Sequence, residues 1–225
     1  NEFCIAIANW TEPVVSDNCS ATIQQIEGSP NGEFFGFGVS NVSYVATDPS
    51  GATANCSFLV TVQDVTPPSV TCYPTILVLI TEGNANIVPA NLFFFGSDNC
   101  GSVNLESLSQ YSYACEDVGN VSVTLTVNDG FGNTNTCSSL VTVLDNNVPV
   151  AICKNITVAL DSNGTATISE DAVDDGSYDI CGSILFDTDI TTFTCANVGA
   201  NTVVLTVDDE AGNSATCSAF VTVED

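Results

Sequence analysis

The stretch DPSGATANCSFLVTVQD at residues 48–64 returns as DGFGNTNTCSSLVTVLD at 129–145 and as DEAGNSATCSAFVTVED at 209–225. Each copy places an aspartate and a glycine-containing turn before a cysteine and a run in which apolar and polar residues alternate. Such alternation is typical of a β-strand with one buried face. The three cysteines, Cys56, Cys137 and Cys217, recur at a nearly constant spacing of about 80 residues, called the repeat period below. The chain is therefore built from a repeated unit of that length.

The charge of the chain limits its partners. The 225 residues include 27 acidic side chains, one lysine, no arginine and no histidine, which gives a formal net charge of −26. Nucleic-acid phosphates and anionic lipid headgroups are bound through Lys and Arg, so we expect neither nucleic acid nor direct membrane insertion. Hard divalent cations, which take oxygen ligands, are favoured instead. With 44% hydrophobic residues the chain is too apolar for an acidic disordered protein.

The repeat period predicts the domain organisation. We expect three repeats, at residues 1–64, 65–145 and 146–225, with the first lacking its first strand. Short strands separated by turns at regular spacing predict an all-β fold, built of tandem immunoglobulin-like β-sandwich modules of about 80 residues. In the third repeat, the turn DSNG at 161–164 is expected to close a β-hairpin. The turn DEAGN, with Gly212 at a positive φ, is expected to precede the last strand.

Alternation also predicts which side chains of the third repeat form the core. One strand should bury three alternate residues and the last strand four. These are Val203, Leu205 and Val207, and Cys217, Ala219, Val221 and Val223.

Eleven cysteines in so short a chain indicate disulfides and an oxidising, extracellular compartment. Zinc is the rival interpretation, but the chain has no histidine and no C-x-x-C pair. Repeats two and three hold four cysteines each, which allow three connectivities. The first repeat lacks a counterpart of Cys115 and has Cys4 instead, which favours bonds between near neighbours. The expected pairs are Cys4–Cys19, Cys100–Cys115, Cys181–Cys195, Cys72–Cys137 and Cys153–Cys217.

Cys56 has no expected partner within the chain. Its counterparts, Cys137 and Cys217, are assigned to first-strand cysteines, and the first repeat lacks that strand. Cys56 should lie on the core face beside Phe58, and its partner would come from the residues before Asn1 or from a neighbouring chain. The alternative is a free, buried thiol.

Four stretches carry a family resemblance: SDNCSATI at 16–23, GVSNVSYVATDPSGATANCSFLVTVQDVTPPSVTC at 38–72, LDSNGTATISEDAVDDGSYDICG at 160–182 and CANVGANTVVLTVDDEAGNSATCSAFVTVED at 195–225. They resemble the hyalin repeat (HYR) family and its bacterial relatives. The resemblance implies immunoglobulin-like modules of secreted and cell-surface proteins. Tandem copies of this kind are similar to those in long surface proteins of Bacteroidetes. The second repeat departs most, because it lacks the acidic loop of the third.

Calcium is the cofactor that the acidic residues suggest, and no organic cofactor is expected. The loop EDAVDDGSYD at 170–179 offers closely spaced carboxylates, with Gly176 allowing a tight bend. The alternative is an ordinary acidic loop that caps a short turn. The junction aspartates Asp64 and Asp145 are a second candidate, for an ion that stiffens the joint between repeats. The loop ligands would be Asp171, Asp174, Asp175 and Asp179.

Covalent modification and catalysis have weaker support. Seven N-x-S/T sequons occur in a chain rich in these residues, so several arise by chance. Without histidine, Ser-His-Asp and Cys-His arrangements are excluded, and the carboxylates are scattered over turns and junctions, so we expect no enzyme. The candidate glycosylation sites are Asn41, Asn120, Asn155 and Asn163.

These features favour a structural segment of a longer cell-surface polypeptide, which forms a rigid, disulfide-stapled stalk or filament. The expected partners are adjacent repeats of the same polypeptide or neighbouring copies in a filament. The alternatives are an adhesin module that binds a surface glycan or protein, and a spacer within a secreted enzyme.

Overall fold

The computed structural model describes residues 4–225, and nearly all of its regular structure is β. This confirms the all-β fold class. The stretch of the first repeat forms β1 (Ile5–Ile7), β2 (Thr22–Glu27), β3 (Phe34–Gly36), β4 (Gly38–Thr47) and β5 (Thr53–Val62).

The second and third stretches repeat this arrangement with more strands. Residues 65–145 form β6 (Ser69–Cys72), β7 (Thr75–Ile80), β8 (Asn84–Asn86), the one-turn helix α1 (Pro89–Leu92), β9 (Phe93–Ser97), β10 (Asn104–Leu108), β11 (Ser112–Ala114), β12 (Gly119–Asn128) and β13 (Thr134–Asp145). Residues 146–225 form β14 (Ile156–Ala159), β15 (Thr165–Thr167), β16 (Ile184–Thr188), β17 (Thr192–Thr194), β18 (Gly199–Asp209) and β19 (Ser214–Glu224). Single 3₁₀ turns follow β11, at Cys115–Asp117, and β17, at Cys195–Asn197.

The chain divides into two compact units, and the boundary between them falls inside the second repeat. Strands β10, β12 and β13 each run from one unit into the other. The division into three repeats stays a prediction from the sequence period. Unit 1 consists of Asn1–Cys72, Phe93–Ser107 and Leu125–Cys137, and unit 2 of Tyr73–Leu92, Leu108–Thr124 and Ser138–Asp225.

The third repeat shows the sheet arrangement most fully. One sheet has the strand order β14-β19-β18-β16, and a two-stranded sheet pairs β15 with β17. Strand β14 runs parallel to β19, with Ile156 opposite Val221, whereas the other neighbours are antiparallel. The second repeat has the corresponding order β10-β12-β13-β7, again with β7 parallel to β13. The first repeat contains the sheet β2-β4-β5 and the pair β1-β3.

The hairpin predicted at residues 161–164 is wrong, although the turn itself is present. The Asp161 N–H donates to the Thr165 carbonyl, and the Asp161 carboxylate accepts from the N–H groups of Asn163 and Thr165. The flanking strands do not pair with each other, because β14 joins β19 and β15 joins β17. The aspartate satisfies the turn locally, so the turn forms while the chain crosses from one sheet to the other.

The core of the third repeat agrees with the alternation of its last strands. Val203, Leu205, Val207 and Val221 are fully buried, and Ala219 and Val223 are nearly so. Cys217 packs against this cluster. The predicted turn before the last strand is also present, with Gly212 at φ +93°. A period of two in the sequence thus identifies the buried face of both strands.

Truncating this core should destabilise the chain measurably. Val221 is 0% exposed, so Val221→Ala removes two buried methyl groups and leaves a cavity. We expect a loss of about 2 kcal/mol in the free energy of unfolding, measured by urea denaturation. Val198→Ala is the matched control, because Val198 is 54% exposed and the same truncation there should change stability by less than about 0.5 kcal/mol. Equal losses for the two variants would contradict this account of the core.

Two disulfides lie within a single sequence repeat each. Cys72 on β6 is bonded to Cys137 on β13, with the Cα atoms 5.6 Å apart. Cys153 is bonded to Cys217 on β19, with the Cα atoms 5.8 Å apart. Both pairs were among those expected from the sequence. Since β6 pairs with β9 and β13 lies in the four-stranded sheet, the first of these bonds ties two sheets together.

The three expected pairs between near neighbours are wrong. The structure bonds Cys4 to Cys100 and Cys115 to Cys181, with Cα separations of 4.6 and 4.9 Å. The comparison of repeats considered only partners inside one repeat, whereas each of these bonds joins one sequence repeat to the next. The pairs that do not form are Cys4–Cys19, Cys100–Cys115 and Cys181–Cys195.

Three cysteines, Cys19, Cys56 and Cys195, are free and exposed. Cys56 is thus without a partner within the chain. Because it is exposed, both its expected place in the core beside Phe58 and the buried thiol of the alternative interpretation are wrong. It lies on β5 opposite Tyr44, and the positions that hold the partners of Cys137 and Cys217 have no counterpart among residues 4–64.

Candidate metal centre

Three aspartates of unit 1 bring their carboxylates together. Asp64 follows β5, Asp98 follows β9, and Asp129 follows β12. One carboxylate oxygen from each lies within 4.8 Å of those of the other two. Asp64 is 9% exposed and Asp129 3%. These residues are called the first trio below.

Two oxygens of the first trio are buried without a hydrogen bond. Asp64 accepts from the Thr66 N–H through Oδ1 at 3.0 Å, and Asp98 accepts from the Cys100 N–H through Oδ2 at 2.8 Å. Asp64 Oδ2 and Asp98 Oδ1 are buried and have no hydrogen-bond partner within residues 4–225. A buried carboxylate oxygen without a partner is unfavourable, so both oxygens are suited to a cation.

The third member is held ionised by the turn that follows it. Asp129 Oδ1 accepts from the N–H groups of Phe131, Gly132 and Asn133, at 2.7, 3.1 and 3.1 Å. Its Oδ2 accepts from the Asn133 amide at 2.5 Å, and the same amide donates to the Asp64 carbonyl at 3.3 Å. Burial by itself would raise the pKa of Asp129, but the hydrogen bonds from Asn133 and from the backbone outweigh it and lower the pKa.

A second trio lies in unit 2. One oxygen from each of Asp145, Asp179 and Asp209 falls within the same 4.8 Å limit. Asp179 accepts from the Cys181 N–H through Oδ2 at 2.6 Å, and its Oδ1 is buried without a partner among the described residues. Asp145 Oδ1 accepts from both nitrogens of Asn147, at 2.9 and 2.6 Å.

Asp209 accepts hydrogen bonds that correspond to those of Asp129. Its carboxylate accepts from the Asn213 N–H and from the Asn213 amide, each at 2.7 Å. That amide also reaches the Asp145 carbonyl at 3.5 Å. Burial would raise the pKa of Asp209, and the Asn213 and backbone hydrogen bonds lower it on balance.

The two trios are one arrangement formed twice. Corresponding members stand one repeat period apart, and the hydrogen bonds that position them recur. Each trio combines one aspartate from the end of a sequence repeat with two from the next. The first trio is Asp64, Asp98 and Asp129, and the second is Asp145, Asp179 and Asp209.

The chemistry of each trio fits a hard cation. Three carboxylates supply only oxygen ligands and a charge of −3, which calcium accepts and which zinc does not require. Without a cation, like charges at this spacing repel one another, and more so where they are buried. Calcium takes six to eight oxygens, so carbonyl groups or water would complete its shell.

The aspartates of the loop at 170–179 do not share one site. Only Asp179 belongs to a trio. Asp174 accepts from the N–H groups of Gly176 and Ser177, at 3.0 and 2.9 Å, and so caps its own turn. Asp171 and Asp175 are exposed. The structure therefore does not bring Asp171, Asp174 and Asp175 together with Asp179.

Both junction aspartates named from the sequence do lie in the trios. Sequence reasoning missed their companions, Asp98, Asp129 and Asp209. A usable signal was present, because an aspartate stands two residues before Cys100 and Cys181, and a D-x-x-G-N turn follows β12 and β18.

The candidate glycosylation sites occupy different settings. The Asn41 amide donates to Glu27 and Ser43, the Asn155 Oδ1 accepts from the Phe220 N–H, and the Asn120 Oδ1 accepts from Thr142. Asn163 lies exposed in the turn after Asp161. Glycosylation at all four stays a prediction.

Known proteins resemble this chain at the level of its repeats. Residues 5–62 match the family model of the HYR domain. The chain therefore carries a hyalin-repeat-like domain. Hyalin of Strongylocentrotus purpuratus is 29% identical over 224 residues, which is 94% of this chain and 18% of that protein. Hyalin of Lytechinus variegatus is 32% identical over 142 residues, which is 60% of this chain and 26% of that protein.

The organism suggested by the sequence is not supported, since both hyalins come from sea urchins and not from Bacteroidetes. This chain spans about a fifth to a quarter of these relatives.

Solved structures resemble the chain more loosely. A three-domain segment of titin, I67–I69, has a TM-score of 0.42 and 11% identity, and covers 83% of this chain and 75% of the segment. Protocadherin gammaB7 EC3-6 has a TM-score of 0.40 and 13% identity, and covers 93% of this chain and 68% of that one. Within residues 4–225, no helix has the length and apolar character needed to cross a membrane.

Proposed function

We propose that this hyalin-repeat-like segment is a structural part of an extracellular protein, in which calcium ions bound by the carboxylate trios stiffen the joints between successive repeats. The observation that carries the proposal is the recurrence of the trio, each time with a buried carboxylate oxygen that has no partner among the described residues. The likeness to hyalin and the disulfides support an extracellular location.

Calcium would stiffen the joint because its carboxylate ligands come from two successive sequence repeats. In the first trio, Asp64 ends one sequence repeat, and Asp98 and Asp129 belong to the next. An ion that coordinates all three holds the two stretches together, and its removal leaves three carboxylates that repel one another. Each joint should therefore be stiff with calcium and loose without it.

Other contacts support the same joints. In unit 1, the rings of Phe37 and Phe131 lie 4.6 Å apart between centroids, and Cys4–Cys100 bonds the first sequence repeat to the second. In unit 2, the bonded Cys115 and Cys181 line one pocket together with Asp145 and Asp209, two members of the second trio. Covalent staples that persist without an ion fit a load-bearing segment, and a single lysine leaves trypsin almost nothing to cut.

The proposal predicts two calcium ions per chain. Isothermal titration of the calcium-free protein should give a stoichiometry near two. Asp209→Asn should lower it to one, because it removes a ligand of the second trio alone. Asp171→Asn is the matched control and should leave it unchanged, since Asp171 is exposed and belongs to neither trio. A chain that binds no calcium, or that loses as much binding with Asp171→Asn, would disprove calcium binding by the trios.

The mechanical part of the proposal needs its own measurement. Cys19 and Cys195 are exposed and free, so nitroxide labels can be attached there once Cys56 is replaced by serine. Calcium should narrow the distribution of label-to-label distances measured by pulsed electron resonance. Calcium binding without narrowing would show that the ions occupy the trios without stiffening the joints.

A further inference from the structure

The two disulfides between sequence repeats use related positions. Cys100 and Cys181 stand one repeat period apart, and each follows a trio aspartate by two residues. Their partners come from corresponding antiparallel pairs, since Cys115 follows β11, which pairs with β8, and Cys4 precedes β1, which pairs with β3. Each of these disulfides therefore joins a strand pair of one sequence repeat to the cysteine that follows a trio aspartate by two residues in the next.

The free Cys195 is held in the same way as the bonded Cys115. Each is the first residue of a 3₁₀ turn. The Cys115 Sγ lies 4.0 Å from the Gly83 carbonyl oxygen, and the Cys195 Sγ lies 3.8 Å from that of Gly164, the counterpart of Gly83 one repeat period further on. The residue before each cysteine donates its N–H to the third residue of the turn at 2.9 Å. Cys195 thus has the same local surroundings as Cys115, which forms a disulfide between sequence repeats, but Cys195 has no partner among the described residues.

The free Cys19 corresponds to the other two cysteines of these disulfides, Cys100 and Cys181. Its N–H donates to Asp17 Oδ2 at 3.1 Å, as those of Cys100 and Cys181 donate to Asp98 and Asp179 at 2.8 and 2.6 Å. Cys19 is exposed. Its sulfur is therefore open to a second thiol.

Three further aspartates occupy positions that correspond to the three members of a trio. Asp17 and Asp48 precede Asp98 and Asp129 by one repeat period, and they line one surface pocket of unit 1. Asp225 follows Asp145 by one repeat period, in the position that supplies the first member of a trio. One departure is present, since Ala52 stands where the other two turns have asparagine. The asparagine amide that in the two existing trios donates to the backbone carbonyl of the first aspartate is therefore missing. The disulfide would then contribute more of the stability of such a joint.

We propose that this chain joins a second copy of itself head to tail, through a disulfide between Cys195 of one copy and Cys19 of the other. Asp225 of the first copy would complete a trio with Asp17 and Asp48 of the second. The occupant is a second copy because the two free halves reproduce the two joints that the chain already contains. The disulfide does not depend on the ion, so it stands apart from the calcium proposal.

Formation of this bond needs an oxidant, for which a low-molecular-weight disulfide such as glutathione disulfide suffices. The thiolate of one cysteine attacks the small disulfide, forms a mixed disulfide and releases one thiol. The second cysteine attacks the mixed disulfide and releases the other thiol. Two protein thiols are oxidised and one small disulfide is reduced to two thiols. Since both copies are strongly acidic, salt near 0.15 M is needed to screen their repulsion.

Two complementary variants test the proposal, each with Cys56→Ser. One carries Cys19→Ser and keeps Cys195, and the other carries Cys195→Ser and keeps Cys19. Mixed in equal amounts in a glutathione redox buffer, they should form a disulfide-linked heterodimer at about ten times the level of either homodimer. Peptide mapping should identify the Cys195–Cys19 bond, and the parent chain should form a ladder of oligomers on non-reducing gels.

A third variant measures how much disulfide crosslinking occurs at an exposed cysteine that has no complementary partner. It carries Cys19→Ser and Cys195→Ser and keeps the exposed Cys56, which should crosslink to neither partner preferentially. All substituted positions are exposed and free, so the variants should melt as the parent does. A heterodimer at only the statistical twofold excess, or equal crosslinking to Cys56, would overturn the proposal.

Discussion

Replacing both Cys153 and Cys217 with alanine should lower the free energy of unfolding of unit 2 by about 4 kcal/mol. The bond closes a loop with a sequence separation of 64, and the loss of that constraint on the unfolded chain gives this magnitude. Cys217 also packs against the core around Val203 and Val221, so its truncation removes further buried contact. Urea denaturation in the absence of reductant would measure the loss.

Cys195→Ala is the control for this experiment. The residue lies in the same unit, but its thiol is exposed and unbonded, so the substitution should change stability by less than about 0.5 kcal/mol. If the double variant were as stable as the parent, the Cys153–Cys217 bond would not stabilise the fold.

Asp64→Asn should have opposite effects on stability with and without calcium. The amide keeps an oxygen for the Thr66 N–H and removes one negative charge from the buried first trio. Without calcium the variant should melt at a higher temperature than the parent, because repulsion with Asp98 and Asp129 is relieved. With calcium it should melt lower, since the first trio would bind the ion about 100-fold more weakly after losing a charged ligand.

Scanning calorimetry at several calcium concentrations would show the crossing. The parent's melting temperature should rise with the logarithm of the calcium concentration, and that of the variant should rise less. Asp175→Asn is the control, because Asp175 is exposed and outside both trios. A variant less stable than the parent in both conditions would mean that Asp64 is required for packing and not for an ion.

The disulfides within the chain and the trios are neighbours in the sequence, so the calcium proposal predicts that these disulfides favour ion binding. Asp98 is two residues before Cys100, and its carboxylate accepts the Cys100 N–H. Asp179 and Cys181 have the same relation. A disulfide that fixes the cysteine also fixes the aspartate, and this lowers the entropy lost when the ion binds.

The repeat and the strands could be predicted from the sequence because they depend on local chemistry. The alternation at Val203, Leu205 and Val207 identifies a buried face without knowledge of what covers it. The turn at Gly212 likewise follows from a backbone position that tolerates a positive φ. Both are decided within a few residues.

The hairpin at 161–164 shows the limit of that reasoning. Asp161 forms the turn by accepting hydrogen bonds from the N–H groups of Asn163 and Thr165, and these bonds are present whichever strands the flanking segments pair with. The choice between pairing with each other and pairing with β19 and β17 depends on strands far along the chain. Turn chemistry alone does not contain it.

The sequence by itself determined an acidic, disulfide-bonded all-β chain with a regular repeat period. Only the tertiary structure decided that Cys100 bonds to Cys4 and that Asp179 joins Asp145 and Asp209. The physical reason is that spacing along the chain constrains partners within a sequence repeat, whereas these contacts join residues of different sequence repeats. In the folded chain, cysteines that are far apart in the sequence come within bonding distance, and carboxylate oxygens come within 4.8 Å of one another.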